Sequence, residues 1–385
     1  MSKPLEELPE LDRSFLYVFV AGPGFGEGIA IALPDSGWLL VDGCRTPGPP
    51  RDNLPLLHVL RRWRMDPDRD PVRWMIITHP HEDHAGGFAE VLDAVNPFNV
   101  GMMGPPPPGR TLLEEIRSLS NDARFTEERL RARQVLAAAK AIERWEENNG
   151  RKVTPLHDGR NLLQGKISAR ICAPDLSRAR PVLDMGWPSL RRRANELSIV
   201  IELLFCKTRI ILGGDLPRTR SHRGTDTTVP TGWDHVLNVH QHLANHQGLK
   251  LPHHGSRHAL HETILDGGKS RGTLWVTPYS KSRLPSPDRS GGLVQILASR
   301  SRVFLTALPT RRDQQPVHKH PARIHFRKYR QLIQTSADTG FLKGAADIRP
   351  PAVANAQAPV WAVSFDDEGN AIEAWRGENA LELFP

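Results

Sequence analysis

The sequence predicts an α/β protein in which a β-sandwich carries a metal site on one edge. Three observations predict it: runs of β-formers dominate the N-terminal part, a strand–helix–strand segment closes the main body, and three clusters of metal-ligand residues each follow a β run.

The N-terminal stretches "SFLYVFVAG" and "GIAIALP" read as β runs around a glycine-rich turn, and "GWLLVDGC" as a third strand ending in Asp42 and Gly43. "LPLLHVLRRWR" has apolar residues at helical spacing, and "VRWMIITHPHEDHAGGFAEVLDAV" runs strand, ligand-rich loop, helix. "GMMGPPPPGR" reads as a proline-rich break before a helical insertion at about 105–150. Strands resume in "RKVTPLHDG" and "KISARICAP", and "LSIVIELLFCKTRIILGGDLP" reads as a hairpin ending at Asp215. After a polar loop insertion at about 217–247, "LKLP" is a strand ending at His253 and His254. "TLWVTPYS", "GGLVQILASRS" and "RVFLTALP" supply the closing strand, helix and strand. The main domain is expected to occupy residues 1–313. Residues 314–385 are expected to be an extension, polar except for a hairpin in "PVWAVSFDDEGNAIEAWRG".

Composition narrows the function. The chain has 385 residues, enough for one large core with additions. Its three cysteines, Cys44, Cys172 and Cys206, are far apart and form no CxxC pair, which argues against a disulfide framework or cysteine-held zinc and suits a reducing compartment. A polar, acidic start and the lack of any long apolar run lead to the expectation of a soluble, cytoplasmic protein without membrane contact. Net charge is +8, with arginines clustered in "RRWRMDPDR", "SRARP", "SLRRRAN" and "LPRTRSHR". That balance favours nucleic acid or another phosphorylated ligand as partner, although general solubility would also account for it. Nothing in the sequence points to a protein partner.

The chemistry concentrates in "HPHEDH", where His79, His81, Asp83 and His84 fall within six residues at a strand end. Imidazole and carboxylate together suit Zn²⁺, Mn²⁺ or Fe²⁺. A lone histidine pair would more often be structural; four candidate ligands at one strand end are a metal-site pattern. Asp215 in "IILGGDLP", where glycines let the backbone come close, and His253 and His254 in "LKLPHHGS" sit at two more strand ends. Asp42 fits either a strand-ending turn or a residue that orients a ligand histidine through its ring N–H.

The order "HPHEDH", "GGD", "HHG" resembles the metallo-β-lactamase fold superfamily, whose HxHxDH signature is matched in full by His79, His81, Asp83 and His84. Within it, "GIAIALPDSGWLLVDG", "NELSIVIELLFCKTRIILGGDLP", "LKLPHHGS" and "TPYSKSRLPSPDRSGGLVQILASRSRVFLTALP" look most like the domain of the bacterial competence DNA-channel protein and its stand-alone relatives. The resemblance spans roughly residues 15–310. It implies a four-layered αββα sandwich. It also implies that His79 and His81 hold a first metal, Asp83 and His84 a second, that Asp215 bridges them, and that His254 or His253 completes the second site. Zn²⁺ or Mn²⁺, one or two per chain, is the implied cofactor. Many members place a third histidine on the first metal, whereas this chain has "NELS", with Asn195 and Ser198, in that interval. His157 comes too early for the role.

The implied activity is hydrolysis by a metal-activated hydroxide, with Asp83 and Asp215 in the machinery. His258 or Lys281 could protonate the leaving group or bind phosphate, or simply face solvent. The leading expectation is a phosphodiesterase or nuclease acting on DNA or RNA. Two alternatives stand beside it: a hydrolase of a small phosphodiester such as a cyclic nucleotide or phosphocholine ester, and a non-catalytic binding module that keeps the fold.

Overall fold

The computed structural model describes residues 2–22, 26–35, 37–46, 54–105, 111–121, 127–128, 132–187, 189–218, 231–267, 272–279, 282, 284–288, 290–299, 301–307, 360–377 and 380–383. The tail between 308 and 359 and the arginine-rich stretch 219–230 lie outside the described residues.

Two mixed sheets make the framework. The first gathers β1 (Lys3–Pro4), β2 (Leu16–Ala21), β3 (Glu27–Ala32), β4 (Trp38–Gly43), β5 (Val72–Ile77), β6 (Asn99–Met103) and β7 (Thr154–Leu156). The second holds β8 (Asn161–Leu163), β9 (Ile167–Ala173), β10 (Val200–Phe205), β11 (Thr208–Leu212), β12 (Gly248–Lys250), β13 (Thr273–Val276) and β14 (Arg302–Leu305). Three late strands, β15 (Val360–Phe365), β16 (Ala371–Arg376) and β17 (Leu381–Leu383), complete both. The first sheet runs β1-β16-β15-β2-β3-β4-β5-β6-β7 and the second β17-β14-β13-β12-β11-β10-β9-β8.

Side-chain alternation shows how the layers stack. On β10 and β11, Ile201, Leu203, Phe205, Ile210 and Leu212 join the core shared with the first sheet, whereas Val200 and Ile211 join a second core. That second core is closed by Trp233 and Val236 of helix Gly232–Val239, Ile264, and Leu293 and Ile296 of helix Gly292–Ala298. Between the sheets, Phe304 stacks on Trp361 with ring centroids 4.2 Å apart. On the first sheet's other face lie helices Pro55–Trp63, Phe88–Val95 and Arg133–Asn149, their apolar sides buried. The order is helices, sheet, sheet, helices: the four-layered αββα class expected.

Several details differ from expectation. The hairpin assigned to the extension 314–385 sits inside the first sheet, with β15 paired along the whole of β2, and β17 pairs β14 of the second. Its apolar residues fall on both faces of β15, so this segment needs a layer on each side and an appendage could not bury it. The residues read as a break at "GMMG" form β6, parallel to β5, with the prolines following the strand. Helices Leu112–Asn121 and Arg133–Asn149 occupy the insertion at 105–150. In the insertion read as a loop at 217–247, residues Gly232–Val239 are helical, because Trp233, Val236 and Leu237 share one buried face.

Candidate metal centre

Strands β4 and β5 are parallel neighbours, as are β11, β12 and β13, and the ligand residues follow their carboxyl ends. That is where open parallel sheets present sites. Asp42, at φ 59°, ends β4 and aims its carboxylate at the start of the ligand loop. It accepts hydrogen bonds from Thr78 N at 2.7 Å and Thr78 Oγ1 at 2.8 Å. The third bond to this carboxylate comes from His84 Nδ1, 2.7 Å away. Asp42 therefore fixes both the loop and the His84 ring, turning His84 Nε2 inward toward Asp215.

The other histidines are tied by the same device. His81 Nε2 donates to the Arg191 carbonyl at 3.0 Å, and its Nδ1 lies 3.1 Å from His79 Nε2. His254 Nδ1 donates to the Thr277 carbonyl at 2.9 Å, and its Nε2 lies 3.1 Å from Asp83 Oδ2. Asp215 is set by a bond from its backbone N to Ser198 Oγ at 3.1 Å. Gly214 just before it has φ 51°, and a Cβ there would stand 2.9 Å from the Ile199 carbonyl, so the "GGD" glycine is sterically required. Asp215 Oδ1 is 3.2 Å from His84 Nε2, and its Oδ2 is 3.7 Å from His79 Nε2 and 3.9 Å from His254 Nε2.

These donors fit a divalent ion. His79, His81 and Asp215 form one compact donor set, and His84, Asp215, His254 and Glu27 another, with Asp215 common to both. Spacings of 3.1 to 3.9 Å are those of donors sharing an ion at bonds of about 2.1 Å. His84 Nε2 and Asp215 Oδ1 are buried 3.2 Å apart and have no other hydrogen-bond partner among the described residues, as expected of atoms that would share a cation.

Charge argues likewise. Burial, reinforced by His84, holds His79 well below the ordinary imidazole value, which keeps it a neutral ligand. Burial also opposes protonation of His84, but Asp215, Asp42 and Glu27 outweigh it and lift His84 well above that value. His254 is raised too, against burial, by Asp215 and by its bond to Asp83. Asp83 is held far below the carboxylate range despite burial, by the His254 bond and the His84 charge; Asp215 is lowered, also against burial, by His84 and His254. The buried carboxylates call for positive charge at this spot.

Sequence reasoning missed the base of the site. Glu27, buried on β3, reaches across the sheets to the ammonium of Lys250 on β12, also fully buried. Glu27 also accepts from Thr277 Oγ1 at 2.6 Å. It approaches the Nδ1 atoms of His254 and His84, at 3.4 and 3.8 Å, which places it behind both rings, opposite their inward nitrogens. Glu27 therefore supports the donors rather than joining them. A lone Glu beside "GIAIALP" and a lone Lys within "LKLP" were the only signals.

Of the remaining predicted residues, His253 faces the site from the end of β12, half-buried. The His258 ring is exposed, and among the described residues it makes no hydrogen bond or ion pair with the cluster. Lys281 lies outside the described residues, and His157 Nδ1 donates to the Asp158 carbonyl at 2.9 Å. The inward donors open on a cavity of about 510 Å³ lined by His81, Asp83, Asp215, His253, Arg191 and Tyr279. Of the four arginine clusters, "SLRRRAN" reaches it, through Arg191, whose Nε pairs with Glu128 at 2.9 Å.

Residues 22–144, which contain the HxHxDH loop, match the family model described as the metallo-beta-lactamase superfamily. No curated protein sequence matches the chain. Among solved structures, the metallo-beta-lactamase fold protein YhfI from Bacillus subtilis is similar at 11% identity and TM-score 0.35, covering 68% of this chain and 86% of that one. The metallo-beta-lactamase SMB-1 bound to 2-mercaptoethanesulfonate is similar at 14% identity and TM-score 0.35, covering 65% and 80%. The archaeal superfamily protein ST1585 from Sulfolobus tokodaii is similar at 12% identity and TM-score 0.27, covering 54% and 65%.

Proposed function

We propose that the chain is a metal-dependent hydrolase that cleaves phosphodiester bonds in nucleic acid. The observation that carries this reading is the convergence of buried imidazole and carboxylate donors on one cavity whose rim also presents Arg191. The net charge of +8 and the motif likeness to competence-type domains support a polyanionic substrate.

His79, His81, Asp83, His84, Asp215 and His254 would hold Zn²⁺ or Mn²⁺. A divalent ion bound there would lower the pKa of water and offset the negative charge on the phosphate oxygens. Asp83, hydrogen-bonded to His254, would orient the attacking water. Arg191 keeps its Nε on Glu128 and offers the rest of its guanidinium to a phosphate oxygen. Asp42, Thr277, Glu27 and Lys250 hold the donors in place from behind.

A second reading, hydrolysis of a small phosphodiester, is favoured by one observation. Helix Arg133–Asn149 roofs the ligand loop: Gln134 N donates to Glu82 Oε1 at 2.8 Å, and Ala132 and Val135 line the cavity. A volume of about 510 Å³ suits one nucleotide-sized group.

The test is incubation of purified protein with single- and double-stranded DNA, RNA and cyclic nucleotides in Mn²⁺ or Zn²⁺. Metal-dependent cleavage that falls to background in His81→Ala and Asp215→Ala is expected. Absence of cleavage, or cleavage undiminished in both variants, would sink the reading. Substrate affinity that falls steeply with salt separates the polymer from the small ester.

A further inference from the structure

We infer that His253 supplies the missing third histidine of the first metal position, so that the two consecutive histidines of "PHHG" serve two different metals. This inference rests on the reading of the cluster as a divalent-metal site, and it reverses the alternative in which His253 and His254 compete for one place.

The argument begins with the backbone. His253 and His254 have φ 47° and 53°, so both lie in the left-handed region, which costs a non-glycine residue roughly 1–2 kcal/mol. Two such residues in succession survive only where the surroundings enforce them, and such strain gathers at functional sites. The turn is enforced by His253 N donating to the Gly214 carbonyl at 3.0 Å, which ties it to the Asp215 loop. Its effect is to deliver two rings to one site, with centroids 6.3 Å apart and planes at 57°. His254 goes to the buried side, against Asp83. His253 goes to the cavity side, where His81 also lies.

The atoms of His253 complete the argument. Its Nε2 lies 3.9 Å from Asp215 Oδ2, the oxygen that His79 Nε2 approaches at 3.7 Å. The Asn195 amide nitrogen is 3.3 Å from the same Nε2. An amide nitrogen only donates, so His253 Nε2 is the acceptor: the neutral ring keeps its proton off Nε2, and the lone pair that takes the amide hydrogen is the one a metal would take in its place. Asn195 belongs to "NELS", the segment that stands where many superfamily members carry the third histidine; here its amide occupies the Nε2 of a histidine arriving from another strand, a place a metal would take over. The trio His79, His81 and Asp215 is compact by itself; His253 stands just outside it, 3.9 Å from the shared Asp215 oxygen, and its half-buried ring would turn about its own side-chain bonds to join.

The experiment is Mn²⁺ and Zn²⁺ titration of the metal-free full chain by calorimetry and elemental analysis. His253→Gly and His253→Asn are the variants, since both residues accept a positive φ; His254→Asn is the comparator, and circular dichroism checks folding. Wild-type protein is expected to take two ions and the His253 variants one, the lost site weakened at least about tenfold. His254→Asn should lose the other ion, and the double variant both. Equal stoichiometry and affinity in wild type and folded His253 variants would overturn the inference, as would a double variant no worse than His254→Asn. Two bound ions without hydrolysis would sink the proposed activity and leave this assignment standing.

Discussion

Asp42 Oδ2 accepts a 2.7 Å hydrogen bond from His84 Nδ1 while the same carboxylate holds the backbone and hydroxyl of Thr78. One buried side chain thus sets the ring orientation of a ligand and the first residue of its loop. Asp42→Ala should lower metal affinity by about 10- to 100-fold, the usual effect of removing such a partner. Competition with a chromophoric chelator measures it, and unchanged affinity would show that His84 is oriented without Asp42.

Lys250 and Glu27 are a buried ion pair spanning the two sheets. Breaking such a pair leaves one uncompensated charge in the interior, so Lys250→Met should cost about 3–5 kcal/mol of stability. Lys250→Met combined with Glu27→Leu should recover most of that loss, because no charge is stranded. Urea denaturation of the single and double variants decides it; a double variant as unstable as the single would refute the pairing as the cause.

His246 is fully buried and donates its Nε2 hydrogen to the Ile264 carbonyl at 2.7 Å; burial pushes the ring down to about 4. Its folded value lies below the unfolded 6.5, so the unfolded chain binds the extra proton between those two pH values. Stability should therefore fall as pH drops from 6.5 to about 4, with His246 contributing about 3 kcal/mol in total. Denaturation of wild type and His246→Gln across this range isolates the contribution as their difference, and parallel pH profiles would contradict it.

The fold and half of the site were legible because their signals are local. Strand runs such as "WLLVDG" and the ligand cluster at His79–His84 lie in continuous sequence. Asp215 and the pair His253–His254 are isolated by themselves and became legible only as strand ends in a known order. Glu27, Lys250 and Thr277 were invisible, because their meaning lies in contacts between sheets, and a single charge within a short apolar strand looks like an interruption. The hairpin after Val360 was found as a hairpin but assigned outside the main domain, since sheet order depends on long-range pairing that no short stretch encodes. Arginine clustering was equally legible, but among the described residues Arg191 of "SLRRRAN" is the cluster arginine that lines the cavity.

The pairing of β15 with β2 and of β17 with β14 gives the order of synthesis a consequence. Every proposed metal donor has left the ribosome once residue 254 emerges, yet both sheets keep an open edge until the strands between Val360 and Leu383 arrive. For that interval the nascent chain carries its charged donors and two unsatisfied β edges together, so protection from edge-to-edge association falls to the strands between Val360 and Leu383.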